Sequence, residues 1–255
     1  MPAALGTLAL AGDARKGVLI DLDLKPAHDV LVRSPGTEPG AADVCHLLSG
    51  NTAIIPGTSL AGVMRAHALR IARLVRDGHK DAEQWVDRLF GPRFEGQRPR
   101  RGFQPHASRL RVSESNLVGS QPHTQTRVAI DRFTQGVVET ALFEEQTQVG
   151  GTTKVQLELR DSHDGELGLV LLVIKDLLDG MVPVGGTSSV GRGIVRGSAT
   201  VTWQDGSGAA PQSARIEPGR SPEGEAAQEI DVAITSFHKA KPLTDATQVD
   251  NERGE

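Results

Sequence analysis

The chain has 255 residues, 38% hydrophobic and 24% charged, which is enough for one large domain or two small ones, and it holds no apolar run long enough to span a bilayer. One cysteine, Cys45, excludes an internal disulfide and any multi-cysteine zinc site. A net charge of −4 and the absence of tyrosine argue against a protein that binds nucleic acid by rows of stacked bases, so any such contact must rest mainly on sugar and phosphate.

The start, "MPAALGTLALAGDARKG", lacks the basic and long apolar segments of a secretory signal, which predicts a cytoplasmic location and no membrane partner. "GVLIDLDL" (Gly17 to Leu24) alternates apolar and polar residues and predicts a half-buried strand, with Asp21 and Asp23 as ordinary solvent-face positions. Turn residues fill Lys25 to Asn51, a loop of a length that is usually either functional or disordered. A helix follows, capped by Thr58 or Ser59, with Leu60, Val63, Met64, Ile71, Leu74 and Val75 on its apolar face. Arg65, Arg73 and Arg76 fall opposite, Arg70 lies toward the edge, and His67 belongs to the core boundary.

"DAEQWVDRLFG" predicts a second helix ending at Gly91, and the basic, Pro/Gly-rich "PRFEGQRPRRGFQPH" a loop. Between Gly62 and Val112 twelve Arg/Lys face five Asp/Glu, whereas from Gln204 onward ten acids face five bases. A basic patch can therefore meet phosphates although the whole chain is acidic. "SRLRVSESNLVG" reads as a strand, the stretch from Arg127 as an irregular hairpin followed by a strand at Lys154 to Leu159, and "ELGLVLLVIKDLLDG" as an apolar helix. "DSHDGE" lacks the remaining ligands of a calcium loop and reads as a turn. "IVRGSATVTW" is the next strand. Strands and helices thus run β-α-β-β-α-β, an α+β chain of ferredoxin-like (RRM-type) order over residues 1–203. Residues 204–255 form an acidic, partly flexible extension, in which "EIDVAITSF" is a candidate last strand.

"VPVGGTSSVGRGIVRG" (Val182 to Gly197) is the most informative segment. Its glycines precede a strand, and no lysine follows them, so it is neither a Walker loop nor a dinucleotide fingerprint. Three hydroxyls and Arg192 exceed what a turn requires. Main chain and guanidinium lying along a phosphate backbone account for them, with Gly186, Thr187, Ser188, Ser189, Gly191, Arg192 and Gly193 as the contacts.

"IPGTSLAGVMR", "RLFG", "SRLRVSES", "VAIDRFTQGVVETALFEEQTQVGGT" and "VGGTSSVGRGIVRG" occur in one order and together resemble the RAMP superfamily of CRISPR-associated proteins. Within it the chain resembles the repeated backbone subunit of type III effector complexes. The resemblance implies a ferredoxin-like core with a long loop after the first strand and a thumb-like hairpin insertion. It implies binding to CRISPR RNA and target RNA, and assembly with neighbouring copies and other type III subunits. Ser59 and Arg65, the glycine segment, and Arg132 and Phe133 near the base of the hairpin would contact RNA.

The resemblance further implies an endoribonuclease that cuts guide-paired target RNA with Mg²⁺ or Mn²⁺, using an aspartate in the loop before "IPG". Asp29, Glu38 and Asp43 lie there, and Asp43 matches best as catalytic residue and metal ligand, with His46 or His28 as an acid/base helper. An RNA-binding scaffold without nuclease activity is the alternative. A guide-processing ribonuclease would need a histidine-centred acid/base set that the sequence does not display.

Overall fold

The computed structural model describes residues 17–36, 39–75, 79–93, 106–160, 165–204 and 210–240. Glu38, Arg76, most of the basic loop and Asp161 to Asp164 of the acidic turn lie outside them.

The alternation at the start of the chain produces β1 (Gly17–Pro26), whose Val18, Ile20, Leu22 and Leu24 are buried. Burying each such side chain stabilises by about 1.5–3 kcal/mol, which makes this strand a centre of the core. It lies between β10 (Thr153–Arg160) and β11 (Val195–Gln204), antiparallel to both. β6 (Leu110–Val112) flanks β10 and β12 (Gln212–Ile216) flanks β11, so the five-stranded order is β12-β11-β1-β10-β6. Asp21 and Asp23 face away from the core: Asp21 accepts from the Gln156 amide at 3.0 Å and Asp23 pairs with Lys154 at 3.3 Å. Both behave as the solvent-face residues their spacing implies.

Helices α1 (Gly57–Val75) and α3 (Glu166–Leu178) contribute to the same core as β1, and α2 (His79–Phe90) packs beside α1. The buried line of α1 is Leu60, Met64, Ala68 and Ala72, whereas Leu74, expected on the apolar face, is 85% exposed. A four-residue spacing drifts by about 40° per step, so the buried stripe rotates along the helix and leaves Leu74 off its edge. Arg65 consequently falls on the flank that meets α2. Its guanidinium donates to Asp87 and to the Gly91 carbonyl, and it is not displayed outward as expected. His67 sits on the opposite flank, 2.6 Å from Asp176 of α3, the boundary position predicted for it.

The hairpin is long: β8 (Gln121–Ile130) pairs with β9 (Val137–Val149), with a bulge between Val128 and Ile130. The expected loop after β1 is partly extended. β2 (Arg33–Pro35) pairs with β3 (Val44–His46), and β3 runs parallel to β9, which ties this segment to the hairpin. β4 (Leu48–Ser49), β5 (Thr52–Ile55) and β7 (Ser115–Asn116) form a small sheet beside it.

The C-terminal reading needs correction. Residues expected to be flexible supply β12, which extends the main sheet, and "EIDVAITSF" lies in helix α4 (Ala227–Lys239), not in a strand. Ile230, Ala233, Ile234 and Phe237 pack into the core at helical spacing, and that buried face outweighs the β-branched residues that favour a strand. A Cβ at Gly168 would overlap the Ala233 carbonyl, so the bare backbone of α3 is what lets α4 lie so close. Among the described residues no helix is long and apolar enough to cross a membrane.

Candidate nucleic-acid interface

From α3 the chain passes through buried Val182 and Val184 into the glycine segment, then a 3-10 turn at Ser188–Val190 and β11. The segment closes on itself and on the loop after β1. Val184 N donates to Gly193 O at 2.8 Å, Gly193 N to Asp29 O at 2.9 Å, and Gly186 N to Leu31 O at 2.7 Å. Gly193 has φ 78°, and a side chain there would overlap the Val184 carbonyl. At Gly186 a Cβ would sit 3.1 Å from Nε of Arg33, whose stem crosses the loop. Gly186 and Gly193 therefore serve close packing within the chain. Gly191 faces open space, and Ser188 and Ser189 are exposed at the tip.

Arg192 is also corrected. Expected along a phosphate backbone, it is 2% exposed. Its Nε lies 2.7 Å from Asp29 Oδ2, and Nη1 lies 2.6 Å from Glu145 Oε2 and 3.2 Å from Thr187 Oγ1. Nη2 donates to Gln125 Oε1 at 2.6 Å. The Asp29 contact is an ion pair without the alignment of a directed hydrogen bond. The guanidinium thus pins the glycine segment to the loop after β1 and to both strands of the hairpin, and Thr187 belongs to the same lock. A planar donor fork with five N–H groups is what four acceptors from four segments require.

Two further arginines share Glu145: Arg127 Nε at 3.1 Å from β8, and Arg33 Nη2 at 3.4 Å from β2. Spacing along the chain could not reveal Asp29, Arg33, Gln125, Arg127 and Glu145 as a set. Glu144 and Glu145 look alike in "FEEQ", and only the pairing Gln125↔Glu145 turns the second toward Arg192.

Asp43 is exposed at the start of β3, and its Oδ2 accepts from Glu144 N of β9 at 2.8 Å. Its other oxygen has no partner among the described residues. Asp29, the other described acid of this loop, is held by Arg192. His28 is exposed. His46 is 2% exposed, with Nε2 2.9 Å from Ile54 O and Nδ1 3.2 Å from Val32 N. That pattern suits a neutral ring protonated on Nε2, turned away from Asp43's solvent, and it removes His46 as an acid/base helper.

Burial holds the His46 pKa below its ordinary value, against the Ile54 and Val30 carbonyls beside the ring, which favour its charged form. The stability this contributes is present above about pH 6.5, the ordinary histidine value, and is lost as pH falls through the lower folded value. Urea unfolding from neutral pH downward is expected to show a steeper acid loss in the wild type than in His46→Gln. Equal slopes would refute the assignment.

Ser59 lies in the first turn of α1 with its N–H bonded to Pro56 O at 3.0 Å. Arg132 and Phe133 stand at the hairpin tip, not its base. Asp131 Oδ1 accepts from Thr134 N at 2.7 Å and Phe133 N at 2.9 Å, and these bonds hold its carboxyl below the ordinary range. The turn displays Phe133, 88% exposed, with the Arg132 guanidinium 5.9 Å from its ring centre. The expected contacts therefore divide among an exposed loop tip, a hairpin tip and α1, and the lock around Arg192 ties the glycine loop to the strands of that hairpin.

No curated protein matches the chain. The family model described as the RAMP superfamily matches residues 30–196, from the loop after β1 through the glycine segment into β11. The chain belongs to the RAMP superfamily, which is associated with CRISPR type III complexes and RNA binding.

Proposed function

We propose that the chain is a backbone subunit of a type III CRISPR effector complex that binds CRISPR RNA and cleaves the paired target RNA, in company with neighbouring copies and other effector subunits. The core reads as ferredoxin-like: β11-β1-β10-β6 is the strand order of a split βαβ fold, with α1 and α2 between β1 and β6 and α3 between β10 and β11. The observation that carries the nuclease reading is Asp43, an exposed carboxylate held by one oxygen on the hairpin strand β9. It is bonded part-way along the hairpin, at Glu144 opposite Thr126, and the tip of the same hairpin offers Phe133 to an RNA strand.

Among the described residues no group of three or more His, Cys, Asp and Glu is arranged to hold an ion. The uncommitted oxygen of Asp43 suits Mg²⁺ or Mn²⁺ only with RNA phosphates and water as the remaining ligands, which is how Mg²⁺ is commonly held. Such an ion would supply charge stabilisation while the 2′-hydroxyl oxygen, giving its proton to Asp43 or water, bonds to the adjacent phosphorus and the 5′-oxygen leaves with a proton from water, yielding a 2′,3′-cyclic phosphate. Asp43 contributes a fixed anionic oxygen that can orient that hydroxyl. Phe133 at the tip can unstack a base and leave the sugar–phosphate in a strained geometry.

The inactive scaffold is the second reading, and the seclusion of His46 favours it because that imidazole is withheld from Asp43. Cleavage of a labelled guide-complementary RNA by the assembled complex in Mg²⁺ separates the two. Asp43→Ala is expected to slow cutting by about a hundredfold or more, with guide and target still bound. Wild type that holds target intact is a scaffold; unchanged cutting in Asp43→Ala places the chemistry elsewhere.

A further inference from the structure

We infer that Arg33 and Arg127 grip one backbone phosphate of the bound RNA, with Phe143 beside them receiving the attached sugar or base; this rests on the RNA-binding reading above. Three guanidiniums, Arg33, Arg127 and Arg192, meet two carboxylates, Asp29 and Glu145, so the cluster retains one positive charge. Arg192 cannot present it, being buried. Arg33 and Arg127 can, with side chains 56% and 31% exposed over a Glu145 that is 2% exposed.

Glu145 accepts from Arg33 Nη2 at 3.4 Å and pairs by charge with Arg127 Nε at 3.1 Å, and Gln125 Oε1 accepts from Arg127 Nη2 at 3.4 Å. Each fork has five N–H groups, so donors remain on both beyond these contacts, on side chains that are partly exposed. Two planar forks fixed around one carboxylate match the non-bridging oxygens of a phosphodiester, and pre-positioning lowers the entropic cost of binding. Gly186 contributes by leaving room for the Arg33 stem.

Phe143 points to a nucleotide rather than a free anion. It is the cross-strand partner of Arg127, shares the face of Glu145 two residues on, and is 37% exposed. A ring paired across the hairpin with Arg127 suits a sugar or base joined to the phosphate. The site bridges β2 and the hairpin strand β8, so RNA bound there would hold the hairpin in place.

The test is binding of a labelled single-stranded RNA to the full chain across a salt series. Arg33→Ala and Arg127→Ala are each expected to weaken binding about tenfold and to flatten the log K against log salt slope by about 0.7, the share of one phosphate on a single strand. Phe143→Ala is expected to weaken binding with the slope intact. Arg220→Ala, an exposed arginine beyond β12 paired with Glu217, is expected to match the wild type. Should Arg127→Ala misfold by circular dichroism, Arg127→Lys substitutes: charge kept and fork lost, hence weaker binding at unchanged slope. Wild type that binds while both alanine variants keep its affinity and slope overturns the site. Wild type that binds no RNA overturns the RNA-binding reading and this site with it.

Discussion

Arg192→Ala is expected to lower the unfolding free energy of the full chain by about 3 kcal/mol. The arginine is 2% exposed and joins Asp29, Glu145, Gln125 and Thr187. Removing one partner of a buried ion pair costs about 3–5 kcal/mol, because the remaining charge stays in a poorly solvated place. The lower end applies here. Glu145 keeps Arg33 and Arg127, and Asp29 is 18% exposed and can reach water. Arg192→Lys is expected to recover only part of the loss, since an ammonium cannot span acceptors on four segments. Urea unfolding followed by circular dichroism measures this. A loss below about 0.5 kcal/mol, typical of a surface position, would show that Arg192 is free, as a direct phosphate ligand would be.

Phe237→Ala carries the other large effect, a loss of about 3–5 kcal/mol. Phe237 is fully buried near the end of α4, and its ring meets Trp85 edge-on at 5.5 Å between centres. The cavity left behind would be lined by elements that cannot collapse, because Gly168 already brings the α4 backbone against α3. The stability change should be accompanied by faster tryptic cleavage at Lys239. If α4 were part of a loose acidic tail, Phe237→Ala would leave both the unfolding midpoint and the cleavage rate unchanged.

Position within the core was legible wherever a periodicity reported on a single element. β1 is the plainest case, since Val18, Ile20, Leu22 and Leu24 alternate with outward residues and need no partner to be recognised. In α4 the same information was present, because Ile230, Ala233, Ile234 and Phe237 follow helical spacing, yet Ile230, Val232 and Ile234 weigh toward a strand. Residue type prevailed over spacing in the reading, and burial against α3 reversed it. Leu74 failed for a different reason: a helix buries the stripe that its neighbours touch, and neighbours are not encoded in the helix itself.

The sequence by itself determined the alternation of the central strand, the β-α-β-β-α-β order of the core without the short strands inside the loop after β1, and the family, since each rests on spacing or on ordered motifs. It also singled out Val182 to Gly197 as unusual. What those residues touch was decided only by the tertiary structure. Arg192 turns inward because Asp29, Gln125 and Glu145, far apart along the chain, converge on it. A charged side chain in a glycine-rich loop reads as solvent-facing when its counter-charges lie on other segments. Pairing register and long-range packing bring those counter-charges together, and they leave Arg33 and Arg127 partly exposed beside Glu145.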